Sequence, residues 1–523
     1  MKQSRKEFLQ FLGMGSLTLS TTSLWAMSKK PAGIVGLSPG MASDNVVLVP
    51  GLSYEKLISW GDSISEDGKL RFGFNNDYTA LLENSSTPSQ AYLWVNHEYP
   101  DPVFLETKKP NKTKADIEKE MKNVGGSFLE LRRASGKWSV VTDSSKNFRL
   151  DGQSKIPFSN GESIQGSSVA IGTFANCAGG KTPWGSVLTC EENYQDYYGD
   201  VDDQGQIIEK GYLGWSTYQQ RPPQHYGWVV EIFLEKKQAV KHVGLGRFSH
   251  ECATVTRAKD GRVVVYSGDD KAGECLYKFV SDSTDSLHKG TLYVANLEQG
   301  KWIEISYKKS KAFQKMFATE QDMFCYTRKV AHILGGTPLD RPEDIEIIPG
   351  TANVLVALTN NTGKKNYFGS LLKIIESNQD AASETFQSET FLTGGETTGF
   401  ACPDNLAFDP RGNLWFTTDI SGNKMNKDPY TPFGNNGLFV VLAQGPQKGQ
   451  AIQMASAPFD AEFTGPTFSE DGKTLFLSVQ HPGEETKTVS KLTSHWPDGG
   501  SSIPKPSVIV IQGPALEAIS AKK

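Results

Sequence analysis

Ser249-His250-Glu251-Cys252-Ala253-Thr254-Val255, a turn at Asp260-Gly261, and Val263-Val264-Val265-Tyr266 running into Ser267-Gly268-Asp269-Asp270 read as one β-hairpin with carboxylates at its open end. The arms are short, apolar and β-branched, and Asp-Gly supplies the reversal. The same grammar returns three times. Pro342-Glu343-Asp344-Ile345-Glu346 leads through Pro349-Gly350 to Val354–Leu358 and Asn360-Asn361. Pro403-Asp404-Asn405 leads through Arg411-Gly412 to Leu414–Phe416 and Asp419, and Gly465–Phe468 leads through Asp471-Gly472 to Leu475–Leu477 and Gln480-His481-Pro482. Looser copies run from Asp67-Gly68 into Phe72–Asp77 and from Trp184–Leu188 into Cys190-Glu191-Glu192-Asn193. Internal repetition of this kind marks a propeller or solenoid, and at about 40 to 50 residues per blade, with insertions, roughly six blades fit the chain. The fold class expected is all-β, a decorated six-bladed propeller with short helical insertions.

At the open end of an antiparallel hairpin the first and last residues lie about 5 Å apart. Glu251 therefore meets Asp269 and Asp270, and Asp404 meets Asp419. In a propeller the innermost strands converge on a central channel, so carboxylates far apart in sequence gather at one mouth. The candidates are Asn96-His97-Glu98, Glu191-Glu192, His250-Glu251, Asp269-Asp270, Glu274, Glu343–Glu346, Asp404-Asn405, Asp419 and Glu462. Strand alternation lets only part of each group face the channel. Any one of them can serve simply as a turn residue, but repeated placement at hairpin ends is not required by turn chemistry. Clustered like charges raise one another's pKa unless cations compensate. Oxygen donors in number favour calcium, and a thiolate among them favours a transition metal.

The flanking sequence sets the setting. Ser4-Arg5-Lys6-Glu7-Phe8-Leu9, the apolar stretch Phe11–Leu24 and Ala26 form a twin-arginine-like export signal over residues 1–26, with Lys6 in the second arginine's place. Residues 27–523 are expected to form a single propeller domain that acts as a monomer in the periplasm or outside the cell, delivered by the twin-arginine machinery. The formal net charge of −5 argues against a nucleic-acid polymer or anionic membrane as partner. Beyond the leader no segment approaches the roughly eighteen apolar residues of a membrane span. Helices are expected over Lys114–Met121 and Lys309–Glu320, and solvated insertions over Thr107–Lys114 and Ser377–Ser388. The six cysteines are scattered without CxxC pairs, which leaves zinc ribbons and redox motifs unsupported. Cys190, Cys252, Cys275, Cys325 and Cys402 read as small core residues.

Cys177 stands apart, in the loop-like Asn176-Cys177-Ala178-Gly179-Gly180-Lys181-Thr182-Pro183-Trp184-Gly185. Together with Cys190-Glu191-Glu192-Asn193, this segment resembles the PhoX-type alkaline phosphatases, where such a loop carries an iron-ligating cysteine. Gly73–Asp77, Asn96–Tyr99, Phe248–Glu251, Gly268–Asp270 with Tyr277–Val280, and Arg341–Glu346 extend the resemblance in order along the chain. The resemblance implies an oxo-bridged iron pair with additional calcium ions (Fe3+ and Ca2+) and hydrolysis of phosphomonoesters. On this sequence it implies Cys177, Glu192, Glu251 and Glu343 as iron ligands; Glu191, at the same hairpin end as Glu192, is a further metal candidate from its position. Arg341 and Lys278 would grip phosphate, with Asn193 in the same pocket. Glu98, Asp269, Asp404, Asp419, Glu462 and Asn96 are assigned to calcium from hairpin-end geometry. His97 and His250 are expected to orient the glutamates that follow them. The competing readings are a calcium-dependent propeller lactone hydrolase and a non-catalytic propeller that binds a glycan or protein.

Overall fold

A computed structural model describes residues 33–84 and 86–522; the leader over residues 1–26 lies outside the described residues. Among the described residues, six antiparallel sheets of four or five strands follow one another, with two further two-stranded ribbons. The first blade holds Asn76–Glu83, Gln90–His97, Gly125–Ala134 and Lys137–Val140, and the second Asn176–Lys181, Val187–Glu191, Val229–Phe233 and Gln238–His242. The third has five strands, Thr254–Arg257, Val263–Gly268, Leu276–Ser281, Gly290–Asn296 and Lys301–Ile305. The fourth is Pro342–Ile347, Val354–Leu358, Ser370–Glu376 and Phe386–Thr393. Pro403–Phe408, Leu414–Thr418, Gly437–Val441 and Ala451–Ser456 make the fifth, with Val47–Leu48 on its outer edge.

The sixth blade closes the ring. Glu462–Phe468, Leu475–Gln480 and Ser507–Gln512 take their outermost strand from Ser53–Ser59, with Ser53 opposite Gln512. The first strands of successive blades touch in a closed circle, the sixth against the first. Val354–Leu358 is continuously apolar, and Leu475–Gln480 is buried throughout and apolar but for Ser478 and Gln480, because each sheet is buried on both faces against its neighbours. Backbones come close around the centre. A Cβ on Gly180 would lie 2.0 Å from the carbonyl oxygen of Ala253 in the next blade, and one on Gly268 2.2 Å from that of Pro342. The Gly-rich segment after Cys177 is therefore the inner strand of the second blade, not a loop.

The blade containing Asp77 also departs from expectation: Asp77 opens the hairpin Asn76–His97 instead of closing one that turns at Asp67-Gly68. Lys114–Met121 is a helix as expected, with a capping box between Thr113 and Asp116. Lys309–Glu320 is not one helix. Lys311–Met316, Glu320–Cys325 and Thr327–Ile333 replace it, the first two started afresh by the side chains of Ser310 and Thr319. Ser377–Ser388 buries Ala381 and Phe386, the latter beginning a strand, so it is not a solvated insertion. Cys190, Cys252, Cys275, Cys325 and Cys402 all lie in apolar core clusters. Among the described residues no helix is long and apolar enough to cross a membrane.

Candidate active site at the channel mouth

One structural device recurs before the inner strands. Asn75, Ala175, Arg341, Cys402 and Asp460 have positive φ, from 42° to 59°, a region that costs a non-glycine residue about 1–3 kcal/mol. Each stands two residues ahead of a side chain that lines the mouth: Asp77, Cys177, Glu343, Asp404 and Glu462. In four of these strands the ladder then breaks in a β-bulge, leaving Asp77-Tyr78, Cys177-Ala178, Glu343-Asp344 and Asp404-Asn405 out of register. Bulges re-aim side chains, and here they turn the first member of each pair to the mouth. Tyr78, Ala178, Asp344 and Asn405 line a separate cavity of about 460 Å3 at the far ends of the inner strands. The third blade reaches the same result without the kink and contributes Glu251.

The second strands end in the partners. Glu98, Glu192, Asp270, Asp419 and His481 each follow directly or within two residues and line the same cavity, which measures about 190 Å3. With Glu484, ten carboxyl groups and one thiol face only Arg341 and His481 as cations. At an effective dielectric constant of about 20, two like charges 4 Å apart repel by about 4 kcal/mol. The acids respond by holding protons. Burial, then the charge of Asp419, pushes Glu462 up to about 8, and burial pushes Asp77 up to about 6. Burial and the neighbouring acids raise Glu98, Glu192, Glu251, Glu343 and Asp404 well above the usual carboxylate range, and the Cys177 thiol above its own. Burial opposes a charge on His481, but Glu484 and Glu462 outweigh it and raise the imidazole.

The donors suit cations. Cys177 Sγ lies 3.1 Å from Glu251 Oε1 and 3.2 Å from Asp77 Oδ2. Asp77, Glu98 and Cys177; Cys177, Glu192 and Glu251; and Glu251, Asp270 and Glu343 each bring three ligand atoms within 4.8 Å of one another. Cys177 and Glu251 belong to two of these groups, so the sites adjoin. Glu251 Oε2 and Glu462 Oε2 are buried without a hydrogen-bond partner, which is costly unless something binds them. Arg341 forks onto Asp270, with Nε to Oδ1 at 2.9 Å and Nη2 to Oδ2 at 2.8 Å, and reaches Glu343 at 2.7 Å and Asp419 at 3.4 Å. Asn193 donates to Glu192 Oε1 at 2.7 Å.

Four expected site residues lie elsewhere. Glu191 is one residue out of phase with Glu192; it pairs at 2.6 Å with buried Lys241 and accepts from the amides of Gly227 and Trp228. Asp269 is out of phase with Asp270 in the same way and is clamped by Arg328. Asn96 donates to the carbonyls of Cys177 and Ala178 and accepts from Trp94 and Thr189, so its carboxamide has no capacity left for a cation. Lys278 sits on the third strand of its blade, away from the mouth, 3.1 Å from Glu376 and beneath Trp302. His97 bonds Gly73 and Ser127, and His250 bonds Ser267 and Gly246, so neither orients the following glutamate. Glu274 pairs with His332 outside the mouth. Because Lys278 and Glu376 are both buried, Lys278→Ala is expected to cost about 3–5 kcal/mol of stability in denaturant titration, with the KM for a phosphate ester unmoved; a raised KM would return Lys278 to the site.

Asp77, His481 and Glu484 join the mouth beyond the expected candidates, and of the candidate pair Asp269-Asp270 it is Asp270 that faces it. His481 stood at a hairpin end in the repeat, and Asp77 was hidden by the misplaced first hairpin.

A closed propeller whose channel mouth concentrates carboxylates, a thiol and a guanidinium is the class that fold and site define. The family model described as alkaline phosphatase PhoX matches residues 36–483. The chain is 30% identical to Pseudomonas fluorescens PhoX, solved in complex with vanadate, a transition-state analogue, with a TM-score of 0.83 over 92% of this chain and 98% of that one. The chain belongs to the PhoX alkaline phosphatases, a family of phosphomonoesterases whose membership implies metal dependence. More distant resemblances include a Dyadobacter fermentans protein of unknown function, at 10% identity and TM-score 0.39 over 89% of this chain and 100% of that one. Another is a Penicillium chrysogenum α-L-arabinanase, at 12% and 0.34 over 88% and 99%. No curated protein matches the chain.

Proposed function

We propose that this chain is an exported phosphatase that hydrolyses phosphate monoesters at the channel mouth with iron and calcium. The observation that carries this reading is the meeting of Cys177, Glu192, Glu251 and Glu343 with Arg341 in one cavity, drawn from three blades. These four would hold iron, with Asp77 and Asp270 completing their neighbours' donor groups; Glu98, Asp404, Asp419 and Glu462 would hold calcium. Bound there, the ions would supply Lewis acidity toward the phosphoryl oxygens and acidify the attacking water. Arg341 offers a planar fork suited to two phosphate oxygens at once. His481, kept protonated by Glu462 and Glu484, adds a second positive group at the rim. Asn193 supplies amide protons beside Glu192. The vanadate complex of the Pseudomonas fluorescens relative supports phosphoryl chemistry on this fold. Delivery to the periplasm or exterior rests on the leader at residues 1–26.

The test is elemental analysis of protein recovered from its native compartment, paired with p-nitrophenyl phosphate hydrolysis before and after EGTA. Near-stoichiometric iron with calcium, and activity lost on chelation and regained with calcium, is the expected result. Calcium without iron and no hydrolysis would sink the proposal and favour a lactone hydrolase or binding module.

A further inference from the structure

Beside the mouth opens a second cavity of about 220 Å3, which shares Glu98, Tyr99, Asn193 and Glu484 with it. Its remaining wall comes from Ala175 and from two neighbouring segments that carry Asp196, Tyr197, Tyr212 and Leu213. The amide of Leu213 donates to the carbonyl of Asp196 at 3.1 Å, tying those segments together. Three phenols and three carboxylates line this annex, and no lysine, arginine or histidine does. Glu98 belongs to the mouth, and Glu484 is answered by the Tyr99 hydroxyl at 2.8 Å and by His481 at 3.8 Å. Asp196 is the acid with no ion pair of its own. Burial and then the charge of Glu209 push it up to about 6, so above neutrality it is a carboxylate; the cation that acts on it, Lys271, pairs instead with Glu209 at 3.8 Å and does not line the cavity. Tyr212 stands at the rim, 69% exposed, and contacts Asp196. Tyr197 is fully buried and anchored through its hydroxyl to the carbonyl of Glu98.

Aromatic rings beside a carboxylate that has no ion pair are the chemistry that recognises ammonium and quaternary ammonium groups. The volume is below the roughly 300 Å3 of a drug-sized pocket, so the group received is small. Hydrolysis of a monoester joins a water oxygen to phosphorus, breaks the ester P–O bond and releases the alcohol with a proton from that water. With phosphorus at the mouth, the alcohol extends toward the annex. Resting on the phosphatase reading above, we propose that the annex holds the leaving group and selects small alcohols bearing an amine or quaternary ammonium, with Asp196 and Tyr212 setting that preference.

The test compares kcat/KM of the metal-loaded, full-length protein for phosphocholine and for its neutral isostere 3,3-dimethylbutyl phosphate, with p-nitrophenyl phosphate as a third ester. A preference of about tenfold for the cationic ester is expected. Asp196→Asn and Tyr212→Ala should each bring the ratio to within about twofold of unity, while Tyr212→Phe, which keeps the ring, should retain most of it. Hydrolysis of both esters at equal efficiency, or a ratio that Asp196→Asn leaves intact, overturns the annex alone. Failure to hydrolyse any of the three overturns the catalytic reading and the annex with it.

Discussion

Arg341→Ala is expected to lower kcat/KM for p-nitrophenyl phosphate by about 10²–10³, the usual loss when one donor to a developing oxyanion is removed. The reason lies in the charge balance of the mouth. Arg341 is the guanidinium among ten carboxyl groups there, and its planar fork already matches the two oxygens of Asp270. A phosphoryl group presents the same spacing of oxygens. Arg341→Lys should rescue little, because an ammonium cannot engage two oxygens in the plane of a fork. Arg341 also holds a left-handed backbone conformation with φ 55°, so Arg341→Gly removes the same donor while relieving that strain. Activity lost in all three variants, with melting temperature preserved in the glycine variant, assigns the effect to the guanidinium. Full activity in Arg341→Gly would remove Arg341 from the chemistry and leave it as a counter-charge for Asp270.

The second large effect concerns stability. In protein stripped of metal by EDTA and EGTA, the thermal midpoint should fall as pH rises from about 4 to about 8. Asp77 at about 6 and Glu462 at about 8 keep their protons in the folded state over a range where ordinary carboxyls, at 3.8 and 4.5, have lost theirs. The folded state then binds more protons than the unfolded one, and stability decreases with pH. Each such carboxyl contributes its full stabilisation below its ordinary pKa, and that contribution is gone above the folded one. The slope per group is about 1.4 kcal/mol per pH unit within the window. Glu98, Glu192, Glu251, Glu343 and Asp404 shift in the same direction. Restoring calcium and iron should flatten or reverse the trend, since cations bind the deprotonated acids and stabilise only the folded chain. Calorimetric scans at pH 5, 6.5 and 8 decide the matter; chelated protein that gains stability across this range would show that the mouth is neutralised from within.

Much of this architecture was legible from hairpin grammar. The third to sixth blades announce themselves through a turn between two apolar arms, and the pairing of Asp404 with Asp419 follows from that alone. The first two blades were harder to read. The glycines after Cys177 resemble a loop, yet they are there because the backbone of Ala253 leaves no room for a Cβ at Gly180. The errors at Glu191 and Asp269 share one cause. Side chains alternate with a period of two, so an uncertainty of a single residue exchanges the channel face for the opposite one. Lys278 was misplaced for another reason: family resemblance supplied a residue type, but only topology shows that a third strand cannot reach the centre.

Ring closure has a consequence for biosynthesis. The outer strand of the last blade, Ser53–Ser59, waits for Ser507–Gln512, more than four hundred residues later. A ribosome must add more than four hundred residues before the two can meet, and contacts so distant in sequence form slowly. Until they do, the sixth blade lacks its two outer strands, and the seam between Glu462–Phe468 and Asn76–Glu83 is held by the inner strands alone. A nascent chain therefore holds the Asp77 and Glu462 sides of the mouth together without that outer clasp, and the full set of mouth donors is locked in place only when the ring closes.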